Sequence, residues 1–117
     1  MDEMKLGAVE SRFADIIWQN EPISSGELVK MCEKQLQWKK STTYTVLKKL
    51  CERGLFQNEK GVVTSLMSKQ EFNSHQSEKF VDETFDGSLP AFIAAFTKRK
   101  KLSQKDVDEI RKMIDSF

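Results

Sequence analysis

The segment from Ser41 to Arg53 has two chemically different faces, and it restricts the fold more than any other part of the chain. One face repeats small and apolar residues at helical spacing, which predicts a buried stripe of Thr43, Val46, Leu47, Leu50 and Cys51. The other face carries hydroxyl, phenol and ammonium groups at Ser41, Tyr44, Thr45 and Lys48. Gly54 follows at the position where helices favour a left-handed residue. The pattern predicts an amphipathic helix that packs on a core and exposes a polar surface.

Two further amphipathic segments precede this helix. The spacing of Val9, Phe13, Ile16 and Ile17 predicts a helix from about Gly7 to Asn20, closed by Pro22. The sequence Ser24-x-x-Glu27 is a capping box, which satisfies free N–H groups at a helix start. It opens a second helix whose apolar stripe is Leu28, Met31, Cys32 and Leu36.

Two short runs that favour β-structure follow Gly54, from Leu55 to Asn58 and from Val62 to Leu66. The residues between them, Glu59-Lys60-Gly61, contain a glycine, so the runs are typical of a hairpin. Three helices followed by a hairpin is the order of a winged helix. We therefore predict a winged-helix domain over residues 1–67, with a helix-turn-helix centred on residues 39–50.

Residues 68–117 return to helical patterns. Capping sequences open helices at Ser68, Ser88 and Ser103, and Asp86-Gly87 separates the first of these helices from the second. The predicted fold class is mostly α with a small β-hairpin: an N-terminal winged helix, or helix-turn-helix, plus a C-terminal helical dimerisation region.

Six of the eight phenylalanines lie in this last part of the chain, on helices that have little partner surface of their own. Burying their apolar stripes calls for a second subunit, which favours a homodimer. The alternative is that the helices fold back on the winged helix of the same chain. The residues expected at a dimer interface are Phe72, Phe80, Phe85, Phe92, Ile93, Ile110 and Ile114.

Charge is unevenly distributed, although the net charge is only +1. Residues 39–60 hold six basic and two acidic side chains, and residues 68–86 hold two basic and five acidic ones. The basic segment coincides with the polar helix face, and hydroxyls and ammonium groups are suited to phosphates and base edges. We predict contacts to double-stranded DNA from Lys39, Lys40, Ser41, Thr42, Tyr44, Thr45, Lys48, Lys49 and Lys60.

Other interpretations of these features remain open. The polar face of the third helix is either a DNA-reading surface or an ordinary solvated face, and a winged helix can also serve as a protein–protein interaction module. Lys60 either touches DNA or is an exposed lysine in a tight turn. The run from Lys98 to Lys101 is either a solvated linker or a second DNA contact.

Several classes of function lack support in the sequence. No nucleophile–base set, glycine-rich phosphate loop or metal-ligand spacing occurs, so we expect no enzyme activity and no cofactor. Cys32 and Cys51 lie on apolar stripes, as small core residues do. There is no apolar run long enough to span a bilayer and no signal peptide, so we expect a cytoplasmic protein without membrane insertion.

An ordered set of short segments carries a resemblance to a known family. They are Leu6-Gly7-Ala8-Val9-Glu10-Ser11, Ile17-Trp18, Pro22-Ile23-Ser24-Ser25-Gly26-Glu27-Leu28, Trp38, Ser41-Thr42-Thr43-Tyr44-Thr45-Val46-Leu47-Lys48-Lys49-Leu50, Arg53-Gly54-Leu55, Gly87-Ser88-Leu89 and Leu102-Ser103. Across nearly its whole length the chain thereby resembles the penicillinase repressor family of BlaI, MecI and CopY-type transcriptional regulators. The resemblance implies a homodimeric repressor of a dyad-symmetric operator. It also implies, by position, that Ser41, Thr42, Tyr44, Thr45 and Lys49 contact DNA.

The resemblance also bears on how repression ends. Antibiotic-responsive members are cut by a membrane sensor-protease at an Asn–Phe bond, and the matching pair here is Ala95 and Phe96, with the phenylalanine retained and the asparagine replaced. Copper-responsive members carry Cys-x-Cys pairs near the C-terminus. This chain has no cysteine after Cys51, which argues against copper sensing. The resemblance therefore implies release by a sensor-protease or by another signal.

Overall fold

A computed structural model describes residues 5–117. These residues form six helices and one small three-stranded sheet, whose strands lie between the first and the fourth helix in the sequence. The elements are α1 (Ala8–Asn20), β1 (Ile23–Ser24), α2 (Ser25–Leu36), α3 (Lys40–Glu52), β2 (Phe56–Glu59), β3 (Val62–Ser65), α4 (Lys69–Phe85), α5 (Leu89–Arg99) and α6 (Gln104–Ser116). The predicted fold class, a winged helix followed by a helical C-terminal part, is confirmed.

Local capping signals explain why the helices begin where they were predicted. Oγ of Ser24 accepts a hydrogen bond from the backbone N–H of Glu27 at the start of α2. At the start of α4 the bonds are reciprocal: Oγ of Ser68 accepts from the N–H of Glu71, and the Glu71 carboxylate accepts from the N–H of Ser68. Each cap satisfies donors that have no partner inside the helix.

The sheet contains one strand more than the predicted hairpin. β2 and β3 pair antiparallel around a two-residue loop, Lys60-Gly61, and β1 pairs antiparallel with the other edge of β3. Ile23 stands opposite Val63 in this register. A two-residue strand is too short to show the alternation that identifies strands in a sequence. Its effect is to join the hairpin to the start of α2.

The core of the winged helix lies between α1, α2, α3 and the sheet. Its largest fully buried side chains include Phe13, Ile17, Leu28, Leu50 and Phe56. Burying each large apolar side chain stabilises the fold by about 1.5–3 kcal/mol. The first turn of α1 departs from the predicted stripe, because Val9 is 48% exposed and lies beyond the edge of this core.

The chain divides into two compact units, the first ending at Gln76 and the second spanning Ser77–Phe117. The sequence patterns predict this boundary between residues 67 and 68, at the start of α4. The first turns of α4 belong instead to the first unit, because Phe72 is buried with its ring 5.7 Å from that of Trp18. Nζ of Lys69 also lies 2.8 Å from Oδ1 of Asp15 on α1.

This position corrects the interface residues expected from the sequence. Phe72 was placed among the dimerisation residues, but it is only 8% exposed and belongs to the core of the first unit. The apolar stripe of α4 therefore serves two purposes, with Phe72 packed inside the first unit and the later phenylalanines in the second.

The second unit is poorly covered. No residue of α5 or α6 is fully buried, and large apolar side chains such as Phe80 and Ile114 are at least half exposed. None of the helices in the described part of the chain combines the length and the apolar character needed to cross a membrane.

Candidate nucleic-acid interface

The packing of α3 determines which of its side chains reach the surface. Thr43, Leu47 and Leu50 are buried against the core. The opposite face therefore points outward, and its exposed side chains are Ser41, Thr42, Thr45, Lys48 and Lys49. The structure thus brings the polar residues predicted from helical spacing onto one exposed surface.

Tyr44 is an exception within this surface because it is partly buried. Its hydroxyl donates a 3.1 Å hydrogen bond to Oγ of Ser25, the first residue of α2. The phenol ring is therefore directed towards the start of α2. A phenol oxygen that donates its proton in this way keeps its lone pairs as acceptors.

Thr45 presents a different chemistry from Tyr44. Its hydroxyl donates a 2.9 Å hydrogen bond to the backbone oxygen of Ser41, one turn earlier in α3. Because the hydroxyl proton is used within the helix, the methyl group and the oxygen lone pairs remain for an external partner. A methyl group at this position is suited to packing against the methyl group of thymine.

The lysines of the predicted interface fall into two groups. Nζ of Lys49 lies 3.3 Å from Oε2 of Glu10 on α1, so this ammonium group is held by a carboxylate. Lys39, Lys40, Lys48 and Lys60 are exposed and form no ion pair within residues 5–117. The ammonium groups of the second group have no competing carboxylate, whereas that of Lys49 is paired with Glu10 and remains half exposed.

Glu10 is the centre of a small charged cluster. Its carboxylate accepts a 3.1 Å hydrogen bond from the N–H of Gly7 and lies 3.9 Å from the guanidinium of Arg53. The Gly7 hydrogen bond is the largest influence on the pKa of Glu10 and lowers it, burial opposes this effect, and the hydrogen bond and charge of Lys49 lower the pKa further. The cluster ties the end of α3 to the start of α1.

The start of α3 carries positive charge without a neutralising partner on the helix. Lys39 is the N-cap residue and its side chain caps nothing, and the first turn contains no acidic residue. Each lysine at the positive end of the helix dipole is disfavoured by about 0.3 kcal/mol or more. A phosphate oxygen placed there would remove this repulsion.

The hairpin loop lies next to the start of α2. The N–H of Ser25 donates a 2.8 Å hydrogen bond to the carbonyl oxygen of Gly61. Lys60 and Gly61 have φ values of 52° and 81°, as both central residues of a type I′ turn require. Lysine is not among the residues favoured at the first of these positions, where asparagine, aspartate and glycine predominate.

Sequence reasoning missed Ser25, which contacts both the hairpin loop and Tyr44. No local signal marks it, because Ser24 supplies the helix cap and both of the contacts of Ser25 connect residues that are distant in the sequence. It also missed the Glu10 cluster. Both features depend on which helices lie side by side, and a single amphipathic pattern does not contain that information.

The second unit brings together most of the remaining predicted interface residues. The rings of Phe80, Phe85 and Phe92 meet edge to face, with centroids 5.7–6.0 Å apart. A groove of about 270 Å³ lies between α5 and α6, and its apolar lining includes Phe92, Ile93, Phe96, Leu102, Ile110 and Met113. Ile114 lies on the exposed surface of α6, at 58% exposure.

The pair expected at a cleavage site lies within α5. Ala95 and Phe96 are both exposed, and Phe96 shows 44% of its surface. The bond between them is inside a continuous helix that ends only at Arg99. The side chains are therefore accessible while the backbone is held in a helical conformation.

No group of histidine, cysteine, aspartate or glutamate side chains within residues 5–117 is arranged to hold a metal ion. Burial raises the pKa of the Cys32 thiol, against a smaller opposite effect of the neighbouring Thr43 hydroxyl. The Cys51 thiol also has a raised pKa, mainly because of burial. Both cysteines therefore favour the neutral thiol and behave as packing residues.

Comparison with known proteins supplies the family. Residues 6–116 match the penicillinase repressor family. The methicillin resistance regulatory protein MecI of Staphylococcus aureus strain Mu50 is 21% identical over 115 residues, which is 95% of this chain and 94% of the relative. The penicillinase repressor of Bacillus licheniformis is also 21% identical, over 95% of this chain and 90% of the relative. The penicillinase repressor of Staphylococcus aureus is 18% identical over 98% of this chain and 94% of the relative.

Proposed function

Because the chain belongs to the penicillinase repressor family, and is on that ground a transcriptional repressor and not an enzyme, we propose that it represses by binding dyad-symmetric operator DNA as a homodimer. One observation carries this proposal. The exposed face of α3 combines hydroxyl groups with lysines that have no ion-pair partner in the described residues, while the opposite face of the helix is buried.

In this proposal α3 lies in the major groove. Ser41, Thr42 and Thr45 face the base edges because they occupy the outward side of the helix, and the partly exposed Tyr44 lies beside them. The free lysines flank this side and bind phosphates: Lys39 and Lys40 at the start of α3, Lys48 one turn beyond Tyr44, and Lys60 on the hairpin loop. Phosphate contacts fix the position of the protein on DNA, and base contacts select the sequence.

Dimerisation is proposed through the second unit, since its apolar side chains have too little cover within one chain. Phe80, Phe85, Phe92, Ile93, Ile110 and Ile114 supply the surface. Each large side chain that becomes buried contributes about 1.5–3 kcal/mol. A two-fold symmetric dimer presents two α3 helices to two half-sites, as operator symmetry demands.

Release from DNA is proposed to follow a signal that acts on the dimer-forming unit. A membrane sensor-protease that cuts between Ala95 and Phe96 is one such signal, and a different inducing signal is the alternative. Proteases bind their substrates in an extended conformation, so α5 has to unwind before this bond is cut. Because no residue of α5 or α6 is fully buried, local unwinding of α5 costs little free energy.

A protein-interaction module is the competing function for a winged helix. Helices that dock on proteins expose aromatic or large aliphatic anchors, which dominate binding energy. The outward face of α3 offers hydroxyls and lysines instead, and its one aromatic side chain is partly buried. The composition of this face therefore favours DNA over a protein partner.

The test is binding of the full chain to random duplex DNA over a series of salt concentrations. We expect a linear fall of log K with log salt, and a slope reduced by about one unit in Lys48→Gln. Lys105→Gln, on α6, is the matched control and keeps the full slope. Genomic footprinting then identifies the operator. Absence of salt-dependent binding to any duplex would reject the proposal.

A further inference from the structure

We infer that Ser25 is a positioning residue which directs Tyr44 to read a base carrying an exocyclic amino group, adenine or cytosine, in each half-site. This inference rests on the proposed function, since it concerns how the α3 face selects a sequence. It depends on three observations: the bond between Tyr44 and Ser25, the second bond that holds Ser25 to the hairpin loop, and the partial exposure of Tyr44.

Ser25 is held firmly in place. Its backbone is fixed by helix α2 on one side and by the 2.8 Å hydrogen bond from its N–H to the oxygen of Gly61 on the other. The loop approaches closely, because a Cβ built on Gly61 would lie 3.8 Å from Oγ of Ser25. Oγ of Ser25 is therefore a fixed point at which the start of α2 meets the hairpin loop.

The 3.1 Å contact between Tyr44 and this fixed oxygen joins two hydroxyl groups and is partly shielded from solvent. Because a phenol is a stronger acid than an aliphatic hydroxyl, Tyr44 is the favoured donor of this bond. A phenol has one proton to donate and two lone pairs that accept. As long as the bond to Ser25 persists, Tyr44 presents an acceptor and no donor to anything that approaches α3.

The four bases differ in the groups that they present in the major groove. Adenine and cytosine offer amino groups as donors, whereas guanine offers N7 and O6, and thymine offers O4, as acceptors. A phenol that can only accept a hydrogen bond pairs with the amino group of adenine or cytosine. Opposite guanine or thymine it meets an acceptor, so no hydrogen bond forms. Without the Ser25–Tyr44 bond the phenol could form a hydrogen bond with any of the four bases. With this bond it prefers adenine or cytosine.

The substitution Ser25→Ala removes this constraint with little other change. Alanine keeps the backbone N–H that binds Gly61, and the helix cap belongs to Ser24. The freed phenol can then donate to guanine or thymine as well as accept from adenine or cytosine. Ser25→Thr keeps a hydroxyl at the same position and serves as the conservative variant.

The experiment is selection of operator sequences from a random duplex pool, using the full chain and its variants. The wild-type protein should enrich adenine or cytosine over guanine and thymine at one strand position of each half-site by about tenfold. Ser25→Ala should reduce that preference to about threefold or less. Tyr44→Phe should lose the preference as well, and Ser25→Thr should retain it.

The control Ser24→Ala removes an adjacent hydroxyl and the α2 cap without touching Tyr44, so it should keep the preference.

Two results would overturn the inference, and only the second also rejects the proposed function. Should Tyr44→Phe abolish a preference that Ser25→Ala leaves intact, Ser25 is not a positioning residue, and the proposed function stands. If the wild-type protein enriches no sequence at all, the proposed function fails together with this inference.

Discussion

The ammonium group of Lys49 lies 3.3 Å from the carboxylate of Glu10, so the last turn of α3 is tied to the first turn of α1. The same carboxylate accepts the N–H of Gly7 and lies near Arg53, which in turn donates to the backbone oxygen of Lys5. The pair therefore belongs to the structural support of α3. Lys39, Lys40, Lys48 and Lys60 lie outside this cluster and are the lysines for which phosphate contacts are proposed.

The first prediction concerns the pH dependence of this support. The pKa of Glu10 in the folded protein lies below its ordinary value of 4.5, first because of the Gly7 hydrogen bond and then because of Lys49. A carboxylate with a lowered pKa stabilises the fold above its ordinary value, and this stabilisation is lost as the pH falls through the lowered pKa. Glu10→Gln should thus reduce the free energy of unfolding at pH 7 by about 1 kcal/mol or less, since the pair is partly exposed.

Denaturant unfolding of both proteins at several pH values provides the measurement. The difference in the free energy of unfolding between wild type and Glu10→Gln should be constant near neutral pH and shrink as the pH falls below 4.5. A difference that stays the same down to strongly acidic pH would show that the ionised carboxylate contributes nothing.

The second prediction concerns the hairpin loop, where stability and binding should change in opposite directions. Lys60 has a φ of 52°, which asparagine tolerates better than lysine, and asparagine before glycine is the preferred sequence of a type I′ turn. Lys60→Asn should raise the free energy of unfolding by about 1 kcal/mol or less. It should also weaken binding to random duplex DNA and reduce the salt slope by about one unit.

Thermal unfolding and salt titration of the same two proteins test this pairing. If the Lys60→Asn protein is more stable but keeps its full affinity for DNA, the hairpin loop is not part of the DNA interface. Lys60→Gln separates the two effects, because it removes the charge without supplying a side chain suited to the turn.

The third prediction concerns assembly through the second unit. Ile114 is 58% exposed on α6, and we expect a partner subunit to cover it. Ile114→Asp should shift the protein from dimer to monomer in sedimentation velocity at micromolar concentration. The control is Val9→Asp, because Val9 is 48% exposed but lies on α1 in the other unit. A wild-type monomer, or equal effects of the two substitutions, would contradict the proposed interface.

The fourth prediction concerns the bond between Ala95 and Phe96. Ala95→Asn restores the Asn–Phe pair that the resemblance associates with cleavage, and asparagine in an exposed helix costs roughly 0.5 kcal/mol relative to alanine. Both effects favour cutting, so a sensor-protease specific for Asn–Phe should cleave the variant faster than the wild-type protein, as followed by mass spectrometry of the products. Equal cleavage of the wild-type chain at the same bond would show that asparagine is not required.

Features set by neighbouring residues were predictable from the sequence, and features set by packing were not. Ser24 and Ser68 cap α2 and α4 as expected, because a capping box lies within four residues. The strand β1 was missed because its identity depends on a partner, β3, far along the chain. Helical spacing placed Phe72 on an apolar stripe correctly, but it does not reveal whether that stripe meets the same chain or another one.

The same distinction applies to the candidate interface. The exposed face of α3 followed from its buried stripe, so Thr45 and Lys48 were identified by spacing alone. Two contacts of that face were not identified from the sequence: Tyr44 with Ser25, and Lys49 with Glu10. Each joins different helices, and only the packed structure shows which hydroxyls and ammonium groups are already occupied.

In the proposed function, the outward face of α3 reads DNA sequence while the flanking lysines bind phosphates. This division of roles is tested by the affinities of Thr45→Ala and Lys39→Ala for operator and random duplexes at several salt concentrations, with thermal unfolding as the control. Thr45→Ala should lose about 1–3 kcal/mol on the operator and little on random DNA. Lys39→Ala should weaken both alike and reduce the salt slope by about one unit, with unfolding temperatures nearly unchanged. Equal losses on both duplexes for Thr45→Ala, or no loss for either variant, would contradict the account.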